Sequence, residues 1–309
     1  MSVRLVVDPE CSVSRTAPTV ANVIDGRIRE LGGLAVRRVL PSAARRMVGP
    51  FTFLDEMMGR PFAAGEGCDV PPHPHIGLAT VTYLFEGEIV HRDSLGSQQT
   101  IRPGDINWMT AGRGIVHSER TPSAQRVPGQ RLHGLQMWVA LPQAHEEDAP
   151  SFRHHPGHAL PVRDENGVRL RVLAGEAFGM ASPVATLSPL FYVDAVMSAG
   201  ATISLPGEHA ERALYVVDGG VHCGPERAEA GRMLVFAPGG PVSVGADLPA
   251  RIVLLGGAPL DGPRYIEWNF VSSSKERIAQ AKRDWKDRRF PTVPGDDIEF
   301  VPLPDWRKG

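Results

Sequence analysis

Three histidines and one glutamate in this chain stand at spacings that suit a metal ion. Pro71-Pro72-His73-Pro74-His75 sets two imidazoles at i and i+2, and His117-Ser118-Glu119, 44 residues beyond His73, sets an imidazole and a carboxylate the same way. Alternate side chains of an extended strand share a face. Two such strands opposed across a small barrel would gather His73, His75, His117 and Glu119 around one point. Four N/O donors of this hardness, with coordination positions left for water or substrate, suit Fe(II), manganese, nickel or copper better than a closed structural zinc site. The competing explanation is four unrelated polar residues at strand ends, and the recurrence of one spacing in two places weighs against it.

The elements that must carry these residues are strands. Apolar and polar residues alternate over 79–85, 135–141, 213–217 and 251–255, each run bounded by Gly, Pro or Asp, which predicts an all-β protein. Laying Tyr83-Leu84-Phe85-Glu86-Gly87 on Tyr215-Val216-Val217-Asp218-Gly219 reveals an internal repeat at an offset of 132 residues. The expected organisation is a metal-binding domain over 1–145, a connector over 146–165, a second domain over 166–270, and a helix and tail over 271–309. In the repeat frame Leu205, Gly207, Ser243 and Gly245 take the four donor positions, so the second domain is expected to keep the barrel and lack the site. Ser273 and Glu276 have capping-box spacing ahead of Ile278, Ala281 and Trp285 at i, i+3 and i+7, which predicts one helix docked through Trp285. Pro291, Pro294, Pro302 and Pro304 then predict an extended tail.

Composition narrows the function classes. Of 309 residues, 33 Lys+Arg face 35 Asp+Glu for a formal net charge of −2, and 42% are hydrophobic, which argues against a dedicated nucleic-acid binder and against a disordered chain. Cys11, Cys68 and Cys223 are too few for a disulfide framework and are expected to be free thiols. No apolar run of signal-peptide or membrane-spanning length occurs, so a cytoplasmic location is the expectation.

The runs His73 through Gly87 and Pro103 through Glu119, with Val48-Gly49-Pro50-Phe51 upstream and His133-Gly134-Leu135-Gln136-Met137-Trp138-Val139 downstream, resemble the signature of the pirin family of bicupins. The segment Ile266-Glu267-Trp268-Asn269-Phe270 and the tail from Phe290 to Pro304 are similar to bacterial pirin-like proteins in particular. The resemblance covers nearly the whole chain. It implies two tandem cupin barrels, double-stranded β-helix jelly rolls, with one metal, Fe(II) as the expected ion, held in the first by His73, His75, His117 and Glu119. The chain departs from the general cupin pattern, because Ala79 and Thr80 stand where a carboxylate would follow the second histidine. Glu119 supplies the acid instead, as in pirins.

The activity implied by the resemblance is quercetin 2,3-dioxygenase-type cleavage of a flavonol-like aromatic substrate by O₂, with Glu119 as ligand and proton acceptor. The alternative, also implied, is a non-enzymatic, redox-sensitive iron protein that binds a transcription factor or a metabolic enzyme; metal storage is a weaker third. Phe53, Trp108, Met109 and Met137 are candidates to line the substrate cavity, and His133 to support a ligand by hydrogen bonding. His154, His155 and His158 read as a solvated loop cluster, His209 as out of register with the ligands, and the basic stretches at Arg37, Arg38, Arg45, Arg46 and 275–289 as solvated faces.

Overall fold

The computed structural model describes residues 19–31 and 34–304; Cys11 lies outside them. Strands β1 (Val20–Asp25), β2 (Arg27–Leu31), β3 (Leu34–Leu40), β4 (Phe51–Pro61), β5 (Asp69–His75) and β6 (Leu78–Glu86) open the chain. They are followed by β7 (Ile89–Asp93), β8 (Gln98–Ile101), β9 (Ile106–Thr110), β10 (Ile115–Arg120), β11 (Arg131–Ala140) and β12 (Ser151–His155). The second half supplies β13 (Val162–Glu165), β14 (Val168–Ala177), β15 (Met180–Ala181), β16 (Leu190–Met197), β17 (Thr202–Ser204) and β18 (Glu211–Asp218). Then come β19 (Gly220–Cys223), β20 (Glu226–Glu229), β21 (Arg232–Phe236), β22 (Ser243–Gly245), β23 (Ala250–Gly257), β24 (Tyr265–Glu267), β25 (Phe270–Ser272) and α1 (Lys275–Lys286).

Each half closes a large sheet against a small one. The first pairs β12-β9-β6-β11-β4-β3-β2 with β5-β10-β7-β8, and the second pairs β1-β21-β18-β23-β16-β14-β13 with β17-β22-β19-β20. The orders correspond strand for strand, as the repeat requires. Sheet membership nevertheless departs from chain order: β1 hydrogen-bonds to β21 in the second barrel, and β12, from the expected connector, hydrogen-bonds to β9 in the first. Both additions cover strand edges that would otherwise be left unpaired. Among the described residues no helix is long and apolar enough to cross a membrane.

Strand parity separates two interiors. In β6, Ala79, Val81 and Tyr83 join a core shared with Tyr192, Tyr215, Val253 and Leu255 of the second barrel, so the two large sheets pack face to face. Leu78, Thr80, Thr82 and Leu84 therefore turn into the first barrel. The repeat-related tyrosines make reciprocal contacts across this interface. The Tyr83 hydroxyl donates to Asp194 at 2.7 Å, where Asp194 also holds Arg251, and the Tyr215 hydroxyl donates to Glu56 at 2.7 Å, where Glu56 also holds Arg37. His133 bonds Glu56 at 3.0 Å, on the interface side of β11, and so belongs to this network rather than to the group of His73, His75 and His117.

The interior of the second barrel is filled. Ile203, Leu205, Leu214, Val216, Val221, Cys223, Val244 and Ala246 are all buried in one apolar cluster. Of the residues expected at the donor positions, Leu205 lies in this cluster, while Gly207 and Ser243 are exposed; the inward frame of β22 is set by Val244.

Helix α1 begins one residue later than the capping-box reading: Ser274 is the N-cap and its Oγ accepts from the Arg277 amide, while Ser273 is held by Glu146. Ile278, Ala281 and Trp285 form its buried face, against Ile76, Val116 and Phe270. The tail then runs back along β5, where the Val301 amide donates to Pro72 O and Val301 O accepts from the Trp285 indole. Arg120 clamps it through Asp296 and Glu299.

Candidate metal centre

Strand β5 is an edge strand built around three prolines, which an edge tolerates because it need not supply every ladder amide. Its pairing with β10 sets His117 opposite His73, and a β-bulge follows, so that Glu119 faces Val70. On the other side of β10, His117 faces Asp93 and Glu119 faces His91 of β7. Gly77, at φ 66°, turns the chain after β5, and a Cβ there would collide with the Val271 carbonyl of β25. Only glycine combines that dihedral with that approach, and β25 is thereby seated beside the site.

His73, His75 and His117 come together, with one nitrogen from each lying within 4.8 Å of the other two. All three are buried. Burial holds His73 at about 4, against a backbone hydrogen bond that works the other way, and holds His75 and His117 well below the ordinary imidazole value. They are neutral at pH 7, the form in which an imidazole can bind a metal. His73 Nδ1 lies 2.9 Å from Pro71 O and His75 Nδ1 lies 3.1 Å from Asn269 O. Carbonyls only accept, so both Nδ1 atoms carry the proton and both Nε2 atoms are bare. His117 Nδ1 is engaged with His91 Nδ1 at 3.4 Å, which leaves its Nε2 facing His75 Nε2 at 3.1 Å. Two imidazole nitrogens bound to one ion at about 2.1 Å stand roughly 3.0–3.4 Å apart, and the His75–His117 pair stands at that separation.

Glu119 lies on the same wall but its carboxylate is outside the three-histidine group. Its Oε1 accepts from the Thr82 hydroxyl at 3.1 Å, and Thr82 is also 2.9 Å from Gln136. Burial raises the carboxyl, partly countered by His91 and by the Thr82 hydrogen bond.

A cavity of about 420 Å³ opens above the histidines. His73, His75, Glu119, Gln136 and Cys68 line it, and Phe53 and Trp138 form a stacked wall, ring centroids 4.1 Å apart and planes 13° from parallel. Arg38 sits over Phe53 at 4.5 Å and forks onto Asp55 at 2.9 and 2.8 Å. Ile266, Trp268, Asn269 and Val301 close the cavity from the C-terminal segment.

Several expectations change here. Phe53 lines the cavity, but Trp108 and Met137 point into the inter-barrel core, and Met109 packs with Ala111, Ile115 and Phe152. The register Thr80↔Met109 and Val81↔Trp108 shows why: Trp108 shares the outward parity of Val81. Arg37 and Arg38 are bound to carboxylates rather than presented as a solvated face. His154 is on β12, half-buried, with Nδ1 2.8 Å from Asn107 Oδ1, because the supposed loop is an edge strand. The sequence reading missed His91 and Asp93, whose His-x-Asp spacing repeats that of His73/His75 and His117/Glu119. It also missed Trp138, Thr82 and Gln136, inward by simple parity, and Trp268 and Asn269, which carry no local signal.

Comparison with known proteins gives the family. The Pirin model matches residues 33–139 and the Pirin C-terminal cupin domain matches residues 192–291. A Pirin-like protein of Caulobacter vibrioides is 54% identical over 92% of this chain and 99% of its own, and the Pirin of Rattus norvegicus is 34% identical over 83% and 88%. A crystal structure described as quercetin 2,3-dioxygenase from Acinetobacter baumannii superposes with a TM-score of 0.86 at 35% identity, covering 92% of this chain and 95% of that one. Both barrels are thus cupins, and with each half matched in order by its counterpart, the chain belongs to the pirin family.

Proposed function

We propose that this protein is a metal-dependent dioxygenase that opens a flavonol-like ring with O₂. The observation that carries the reading is the convergence of three buried histidines, two of which, His73 and His75, line a cavity walled by the stacked Phe53–Trp138 pair. Its volume is in the range of small-molecule sites, and a flat aromatic wall suits a planar substrate. The resemblance to two Acinetobacter baumannii proteins described as quercetin 2,3-dioxygenases, at 35% and 29% identity, supports the same reading.

In this reading His73, His75 and His117 hold the ion, Fe(II) being the expected one, and Glu119 completes the set. A divalent transition metal bound there supplies Lewis acidity and the redox capacity that O₂ chemistry requires. The residues do the rest. Phe53 and Trp138 orient the ring system and Trp268 covers it. Glu119, raised by burial and steadied by Thr82, takes the proton of the substrate hydroxyl, since a carboxylate of raised pKa is a better acceptor near neutral pH. The test is metal analysis of the purified protein followed by O₂ uptake and carbon monoxide release with a panel of flavonols. Uptake with product is expected; a metal-loaded protein inert to the whole panel refutes the activity.

A further inference from the structure

The first barrel contains a fourth buried histidine that the ligand set does not use. His91 is buried on β7, two residues before Asp93, which is fully buried. Its Nε2 lies 3.1 Å from Asp93 Oδ2 and its Nδ1 lies 3.4 Å from His117 Nδ1. Its ring stacks on Phe152 of β12 with centroids 4.2 Å apart and planes 8° from parallel. Asp93 is held from its other oxygen, where Oδ1 accepts from the Leu95 amide at 2.9 Å and the Ser97 amide at 3.0 Å.

Donor and acceptor parity runs through this chain in one direction. An ionised carboxylate only accepts, so His91 Nε2 carries a proton and donates it to Asp93. An imidazole that donates from Nε2 alone has a bare Nδ1, and the 3.4 Å approach of His117 Nδ1 to it is then a hydrogen bond donated by His117. His117 Nδ1 therefore carries the proton, and its Nε2 presents a lone pair toward His73 and His75. Reversing either end of the chain would put a proton on the nitrogen that faces the other two ligands.

We propose that His91 and Asp93 are a positioning pair that locks the tautomer and ring orientation of His117 and so sets the metal affinity of the centre. The inference rests on the reading of His73, His75 and His117 as metal ligands. Two further observations support it. His73 and His75 have their Nδ1 protons fixed by backbone carbonyls, whereas His117 has a side-chain partner, so its tautomer depends on a partner that substitution can change. The second barrel, which lacks the histidine cluster, has the aliphatic Val221 and the thiol Cys223 as the buried residues of β19, the strand that corresponds to β7.

The test uses the full-length protein stripped of metal and titrated with Co(II) alone. His91→Phe keeps the stack on Phe152 and removes the acceptor. His91→Asn restores an acceptor oxygen near the position of Nδ1. Asp93→Asn is nearly isosteric and offers a donor in place of an acceptor. Loss of an outer hydrogen-bond partner to a ligating histidine costs about 10–100-fold in metal affinity. That loss is expected for His91→Phe and Asp93→Asn, with most of it recovered in His91→Asn, and a cooperative thermal melt of each metal-free variant establishes that it is folded.

The second readout is the proton NMR spectrum of the Co(II)-loaded protein. Wild type is expected to show three exchangeable, strongly shifted Nδ1–H resonances, one of which moves or disappears in His91→Phe. Affinities of His91→Phe and Asp93→Asn within twofold of wild type, with all three resonances unmoved, overturn the positioning role. A wild-type chain that takes up no Co(II) overturns the metal reading as well, and the wild-type titration alone separates the two failures.

Discussion

Acidifying the metal-free protein should destabilise it, because its buried imidazoles refuse protons that the unfolded chain accepts. His73 is held at about 4, and His75 and His117 also lie below the ordinary imidazole value, all three by burial. In the unfolded chain each titrates near 6.5. A base whose folded pKa is depressed contributes stability that is complete above the unfolded pKa and is lost as pH falls below it. The window therefore opens near pH 6.5 and, for His73, closes near pH 4. Within it each group contributes about 1.4 kcal/mol per pH unit, so three contribute at most about 4 kcal/mol per unit. Glu119 and Asp55, both raised by burial, act in the opposite sense, since the folded protein keeps protons that the unfolded chain has released. They offset part of the histidine slope. Between pH 6.5 and 5 the loss is then at most about 6 kcal/mol, and at about 2–4 °C per kcal/mol for larger domains the thermal midpoint falls by up to about 12–24 °C. Calorimetry of the metal-free protein across this range measures it. The control carries His73→Leu, His75→Leu and His117→Leu together, substitutions that mimic the filled second barrel and remove the three groups from the proton balance, so its pH dependence should flatten. A wild-type midpoint that stays level from pH 7 to 5, or an equal slope in the control, refutes the claim that these imidazoles are neutral and buried.

Two other expectations follow from the geometry. Glu119→Gln should lose turnover far more than metal content, and metal lost in step with activity would make Glu119 a ligand without a role as base. Tyr83→Phe and Tyr215→Phe should each cost about 1.5–3 kcal/mol, the range for hydrogen bonds to charged groups. Because the two hydroxyls bond different carboxylates, the double variant should be additive in denaturant unfolding to within about 0.5 kcal/mol; unchanged single variants would refute the view that these bonds hold the barrels together.

Much of this was legible in the one-dimensional pattern. Period-2 alternation identified β6, β11, β18 and β23, and the repeat placed Tyr83 opposite Tyr215 in matching strands. The i, i+2 spacing put His73 with His75 on one face, and the helix was found from Ile278, Ala281 and Trp285. The same parity, carried further, would have turned Trp108 and Met137 away from the cavity and brought Trp138 into it.

What the residues determined locally was which side chains share a face of a strand, because the pleat depends only on each residue and its immediate neighbours. Which strands lie side by side was decided by the tertiary structure. Strand β1 crosses to the second barrel, β12 becomes an edge of the first, and Asn269 reaches His75 across 194 positions of sequence. The pairing of His91 with His117 also depends on the register of β7 against β10. Register is settled by the sum of long-range packing and hydrogen bonding over whole sheets, and no short segment carries that sum.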